Sequence, residues 1–230
     1  MKLELVPGRI LKTCFIALAP MAVSAQINFT NPEGVPMNFL TKNKTYEDVK
    51  ANGSPYLNDE FRYGRVYAYD SLKLKGEMRY NAYKSEIEVA EDDDSYFSLL
   101  KRPYISVEIA DERFEMMPYT DENELSRVAY FNPKNKGEAV LLFKPEIKLR
   151  KGRVPNTSYD RYVPPTYIDI SSYYLKMGDE PARKIRLKKK DLVQALKSKK
   201  DSVLVYIKES DLKLSKEQDV IKLLNYYNTL

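Results

Sequence analysis

The feature that most constrains the fold of this chain is a change of hydrophobic period near Leu187. Between Phe61 and Leu187, short stretches alternate polar with apolar or β-branched residues: Arg65 to Tyr69, Glu86 to Val89, Tyr104 to Ile109, Arg113 to Met117 and Glu146 to Arg150. A period of two, rich in Tyr, Val and Ile, predicts half-buried antiparallel strands. In the strand from Tyr104, the residues Ile105, Val107 and Ile109 are expected to face the core, with Ser106 and Glu108 in water. Ala139 to Phe143 is apolar on both parities, which predicts cover on both faces. Turn formers separate these runs at Asp70-Ser71, Glu91 to Ser95, Asp111-Glu112, Asn132 to Gly137 and Lys151 to Ser158. After Leu187 the apolar residues recur at helical spacing in three sets: Leu192, Val193 and Leu196; Val203, Leu204 and Ile207; Val220, Leu223, Leu224 and Tyr227. Three short amphipathic helices are therefore expected, with Ser198-x-x-Asp201 and Ser215-x-x-Gln218 as capping boxes for the second and third. The predicted fold is mainly β, an antiparallel meander forming a sandwich or open barrel over residues 56–188, followed by a small C-terminal α-helical module over 189–230. Residues 26–55, rich in Asn, Pro, Lys and Thr, offer no convincing strand and are expected to form a loosely structured N-terminal segment.

Residues 1–25 have the pattern of a signal peptide. Lys2, Arg9 and Lys12 precede the apolar run Cys14 to Ala22, and Val23-Ser24-Ala25 supplies small residues at the last and third-last positions before a cut. The run is shorter than the roughly 20 residues a membrane-spanning helix needs, so no transmembrane segment is expected. Export to the periplasm, the outer membrane or the medium follows, with Cys14 leaving in the signal and no disulfide in the secreted chain. The mature chain would carry 35 basic and 32 acidic residues, a net +3. That value conceals an asymmetry: residues 183–230 hold 13 basic and 6 acidic side chains, a net +7, which leaves 22 and 26 for residues 26–182.

Composition excludes several chemistries. The chain has no His, so a Ser-His-Asp triad, a Cys-His pair, a His-ligated zinc and a haem on a protein His are ruled out. No two of its 8 glycines lie closer than eleven residues, which excludes both the dinucleotide-binding and the P-loop fingerprints. No cofactor, metal or catalytic residue is assigned.

Several stretches carry a resemblance: Tyr56 to Phe61 with Gly64 to Tyr67, Met78 to Tyr83 with Ile87 to Val89, Tyr130-Phe131, Tyr173 to Leu175, and Glu217 to Asn228. In these the chain resembles a family of uncharacterised envelope or secreted proteins of Bacteroidota. The resemblance implies export and a β-rich body, with no reaction attached. Asp70-Ser71-Leu72 also resembles the short acidic-hydroxyl-aliphatic sites that Bacteroidota use for O-glycosylation, which makes Ser71, at an expected surface turn, the candidate acceptor. Asp201-Ser202-Val203 has the same pattern but falls inside an expected helix.

Candidate contact residues come in two groups. Tyr159, Arg161, Tyr162 and Tyr167 surround the diproline Pro164-Pro165, where rigid tyrosines on an extended stretch suit contact with a protein or glycan. Lys189 and Lys190 belong to a basic cluster, Lys188 to Lys190 with Lys197, Lys199 and Lys200, expected on the helix side opposite Leu192 and Leu196. The run Arg183 to Lys190 fits nucleic acid by charge alone, but no aromatic stacking motif accompanies it, and alternating Ile185 and Leu187 suit an edge strand protected by lysines. Glu91-Asp92-Asp93-Asp94 offers oxygen ligands for calcium or, more plainly, a solvated turn. Glu86, Glu88 and Glu108 raise a paired-carboxylate hydrolase, against the simpler reading of a strand's wet face. The leading expectation is an exported, non-enzymatic cell-envelope protein that works through contacts with another envelope protein or an acidic surface. The alternative is a tyrosine-lined sugar- or peptide-binding module; a carboxylate hydrolase comes third.

Overall fold

The computed structural model describes residues 39–41, 44–45, 50–91, 95–157 and 159–230. The expected signal peptide over residues 1–25, with Cys14, and Asp92 to Asp94 of the candidate calcium loop lie outside these residues. Thirteen strands and three helices are present: β1 (Lys44–Thr45), β2 (Arg62–Ala68), β3 (Ser71–Asn81), β4 (Glu86–Ala90), β5 (Ser95–Ser98), β6 (Ile105–Ile109), β7 (Glu112–Thr120), β8 (Ser126–Pro133), β9 (Ala139–Lys144), β10 (Ile147–Arg150), β11 (Thr166–Asp169), β12 (Ser172–Met177), β13 (Ala182–Ile185), α1 (Lys189–Ala195), α2 (Lys200–Glu209) and α3 (Glu217–Tyr227). The protein is mainly β with a small C-terminal helical part, as the change of period predicts.

Eleven strands form one sheet in the order β1-β5-β4-β3-β2-β6-β7-β13-β12-β9-β8, and an additional β7–β8 pairing closes the last five into a barrel-like ring. Closure removes the edges that an open meander would leave. One pair departs from the antiparallel expectation: β13 runs parallel to β7 through Ala182↔Tyr119 and Arg183↔Thr120. The β2–β3 connection is the two-residue turn Tyr69-Asp70, both at positive φ (49° and 59°), the geometry that matches strand twist. Tyr69 tolerates that conformation while its ring stacks on Tyr104 at 4.8 Å.

Three apolar clusters hold the molecule together. Val66, Met78, Ile87, Val107 and Phe114 belong to the core of the first half of the sheet, and Phe131, Leu142, Tyr174 and Ala182 to that of the ring. Leu141 and Leu175 pack beneath Leu192, Val203, Leu223 and Leu224 of the helices. β9 thus contributes Leu141 to one cluster and Leu142 to another, the two-sided cover expected of it. Each helix is too short to persist alone, so this shared cluster is what holds it.

Several local expectations are corrected. Ile105, Val107 and Ile109 are buried as expected, but Ser106 is buried too, its hydroxyl receiving Arg113 Nη2 at 3.0 Å. Glu88 is fully buried and not part of a wet face. Ahead of residue 56, Lys44–Thr45 pair with β5 as a two-residue strand and Leu40 is buried in the core. Neither serine opens a helix: α2 and α3 are N-capped at Lys199 and Lys216 without a side-chain hydrogen bond. Ser198 Oγ instead meets the Tyr227 hydroxyl at 2.8 Å, and Asp219 reaches back to accept the Lys213 N–H at 3.0 Å. β13 is no simple edge strand; it is flanked on both sides at Arg183 and only by β12 at Lys184 and Ile185.

Candidate functional site

Where β13 loses its β7 neighbour, a groove of about 810 Å³ opens between that strand and α1. Its apolar lining comes from Leu175, Met177, Ile185 and Ala195, and its charged lining includes five cations, Arg183, Lys184, Arg186, Lys190 and Lys197. Local sequence explains the placement. Ile185 turns inward to the helical cluster, so its neighbours Lys184 and Arg186 are carried outward. Leu192 is fully buried beneath α1, which leaves Lys190, Gln194 and Lys197 on its solvent side.

Three of the five cations are engaged by acids. Lys184 Nζ lies 2.8 Å from Glu122, Arg183 Nη1 lies 3.3 Å from Glu124 and Arg186 Nε lies 2.7 Å from Asp191. The hydrogen bond from Lys184 holds the Glu122 carboxyl below its ordinary range, and the Lys184 ammonium is raised in return. Lys190 and Lys197 form no ion pair among the described residues. Glu122 and Glu124 belong to the β7–β8 turn, which Asp121 shapes by accepting the Asn123 and Leu125 N–H groups, both at 2.9 Å. The groove therefore already holds one acidic segment, supplied by the chain itself.

Of the residues singled out from sequence, Lys190 lines this groove. Lys189 is exposed on the same helix but does not line it. Lys199 serves the fold: its Nζ lies over the Tyr227 ring at 4.8 Å and 3.5 Å from the Tyr227 carbonyl, at the end of α3. Tyr159, Arg161 and Tyr162 lie elsewhere, on the exposed tip of a hairpin made by β10 and β11, while Tyr167 packs at its base edge-on to Tyr83 at 5.5 Å. Ser71 is exposed at the first position of β3, and Ser202 lies inside α2.

Glu108 is not brought to Glu86 and Glu88, which are neighbours on one face of β4 but are each bound to other partners. Glu86 accepts Lys44 Nζ at 3.0 Å and Ser98 Oγ at 2.9 Å; Glu88 accepts Arg79 Nε at 3.0 Å and Asn81 Nδ2 at 2.8 Å. Glu108 accepts the Tyr67 hydroxyl at 2.9 Å and faces Arg65 and Arg113. β3 and β2 stand between β4 and β6, about 14 Å along the sheet, beyond the roughly 5 to 9.5 Å of a glycosidase pair. Among the described residues no group of three or more Asp, Glu or Cys is placed to hold a metal ion. Nor is any helix among them long and apolar enough to cross a membrane.

Two features of the groove escaped the sequence reading. Leu175 and Met177 read as ordinary strand residues, and their role in the lining depends on where β13 parts from β7. The acidic turn Asp121 to Glu124 left a weak signal, three carboxylates in four residues, opposite in sign to Arg183 to Lys190 but less dense than Glu91 to Asp94. In comparisons with known proteins the chain matches no family model, no curated protein and no solved structure.

Proposed function

We propose that this chain is an exported protein of the cell envelope that acts by contact and not by catalysis, and that the groove between β13 and α1 is where it receives an acidic segment of a partner protein. The observation that carries this reading is the groove itself. An apolar floor lies under five cations, two of them without an anionic partner among the described residues and two held only by the exposed Glu122 and Glu124. Five cations against the three acids of the lining, Glu122, Glu180 and Asp191, leave it net positive beside apolar surface, which attracts an acidic segment over long range and holds it by burial at short range. Export rests on the sequence pattern of residues 1–25, and the contact role on the lack of any His or glycine-rich loop for common hydrolytic or nucleotide chemistry. The tyrosine-lined binding module finds less support, since the groove lining contains no tyrosine.

A photocrosslinking residue at Gln194, within the lining, tests this in cells of the native host, with one at the exposed Gln218 of α3 as the control. A discrete product from position 194 that weakens as salt rises is expected. No product from 194, or equal labelling from both positions, contradicts the reading.

A further inference from the structure

β10 and β11 form a two-stranded sheet separate from the main one, paired from Ile147↔Asp169 to Arg150↔Thr166 and extended by the bridge Arg153↔Val163. From Ile147 to Arg153 this is about 20 Å of strand. Its base is fixed: Ile147 packs against the main core, its N–H reaches the Ala82 carbonyl at 3.2 Å, the Tyr167 N–H reaches the Asn52 carbonyl and the Asn52 N–H reaches the Pro165 carbonyl, both at 2.8 Å. Beyond the base, every described residue from 151 to 162 is exposed. Three of these are apolar or aromatic, Val154 at 72%, Tyr159 at 97% and Tyr162 at 61% exposure. Charge follows the same direction. Residues 147–169 hold five basic and two acidic side chains, and none of the five cations makes an ion pair among the described residues. Both acids are taken by the backbone, Asp160 by the Asn156 N–H and Asp169 by the Ser171 N–H.

We infer that this hairpin is a membrane-contact arm whose tip enters the headgroup region of an anionic lipid surface. Tyrosine suits that depth, with an apolar ring for the acyl boundary and a hydroxyl for the wet layer. The flanking cations face lipid phosphates, and near an anionic surface each adds roughly fivefold to partition. Val154, Tyr159 and Tyr162 are all presented outward, as insertion into a fluid interface requires. The arm and the groove are separate surfaces, so each can fail without the other.

Sedimentation with vesicles tests the arm, using the mature chain and either equal parts phosphatidylglycerol and phosphatidylcholine or phosphatidylcholine alone. Binding to the anionic vesicles at least about tenfold stronger than to the neutral ones is expected. Arg153→Glu with Arg161→Glu should abolish most of it, and Tyr159→Ser with Tyr162→Ser should lower it at least about fivefold. Lys190→Glu with Lys197→Glu in the groove should leave it within about twofold. The chain has no Trp, so Tyr159→Trp places a single reporter at the tip, and its emission should shift to the blue with anionic vesicles. No preference for anionic vesicles, no shift at position 159, or binding that only the groove variant removes each overturns the inference; the last result would make the arm a protein-contact element or an idle one.

Discussion

Asn228, at the end of α3, holds Ala139, at the start of β9, by both backbone groups: its Oδ1 accepts the Ala139 N–H at 2.8 Å and its Nδ2 donates to the Ala139 carbonyl at 3.0 Å. The same Nδ2 reaches the Lys136 carbonyl at 2.9 Å. One side chain thus acts as a short strand, fastening the helical module to the ring and satisfying the N–H of a fully buried residue. At the sheet-facing start of α3, the Tyr173 hydroxyl donates to Glu217 at 2.8 Å, and burial together with that contact raises its pKa to about 12.

Asn228→Ala should therefore cost about 2–3 kcal/mol, since it leaves the Ala139 N–H buried without a partner. Gly137→Ala should act on the same joint, because Gly137 sits at φ +122° and a Cβ there would overlap the Asn228 side chain. Urea unfolding of both variants checks this, and a loss below about 0.5 kcal/mol in both would show that the joint carries little.

Arg79 and Glu88 form the most enclosed ion pair of the described residues, at 11% and 0% side-chain exposure. The guanidinium lies over the Tyr56 ring at 3.5 Å and the Phe61 ring at 4.3 Å, so it also ties residues 56–61 to the sheet. Arg79→Met leaves the Glu88 charge buried beside Asn81 and should cost about 3–5 kcal/mol. Adding Glu88→Gln removes that charge while keeping an acceptor for Asn81, so the double variant should be more stable than Arg79→Met alone. Denaturation midpoints decide, and a double variant weaker than the single one would contradict the account.

Acid should weaken the β1–β5–β4 edge. Burial works against the Glu86 charge, but hydrogen bonds from Lys44 and Ser98 outweigh it and hold the carboxyl below its ordinary value of 4.5. A depressed carboxyl pKa contributes stability that is present in full above 4.5 and is lost as pH falls through the lower folded-state value. Glu86→Gln should thus be less stable than the natural chain at about pH 7, with the gap narrowing toward about pH 3. Parallel urea midpoints across that range would refute it.

Glu122→Gln with Glu124→Gln should separate folding from binding. Both carboxylates are more than 70% exposed, so solvent screens their ion pairs with Lys184 and Arg183 and the fold depends little on them. Releasing those cations should strengthen binding of an acidic peptide about threefold or more, with little change in melting temperature. Unchanged or weaker binding would mean that the β7–β8 turn does not compete for the groove.

The fold was legible where one side chain in two, or one in three and four, had to be apolar: the strands from Arg65 and Glu86 and all three helices follow from periodicity, and the strand from Ala139 from its unbroken apolar run. Ring closure was not, because it depends on β7 pairing with both β8 and β13, and the two parallel pairs at Ala182 and Arg183 leave no mark in the sequence. Glu88 misled for a related reason. It alternates as a solvent-facing residue should, and its burial becomes acceptable only once Arg79 and Asn81 arrive from the neighbouring strand. Of the candidate site, Lys190 and the basic run were visible, whereas the groove exists only where a strand and a helix diverge. The capping serines failed because each helix starts one residue later than its box requires.

The central claim, that the groove between β13 and α1 binds acidic partners, is tested most directly by titrating a fluorescent ten-residue polyglutamate peptide with residues 26–230 and following anisotropy. Affinity should fall at least about tenfold between about 0.05 and 0.3 M salt, as screening shortens the reach of the cations. At low salt Lys190→Glu with Lys197→Glu should abolish binding at unchanged melting temperature, while Arg153→Glu with Arg161→Glu on the arm should leave most of it. Binding that survives reversal of Lys190 and Lys197, or no binding even at low salt, would contradict the claim.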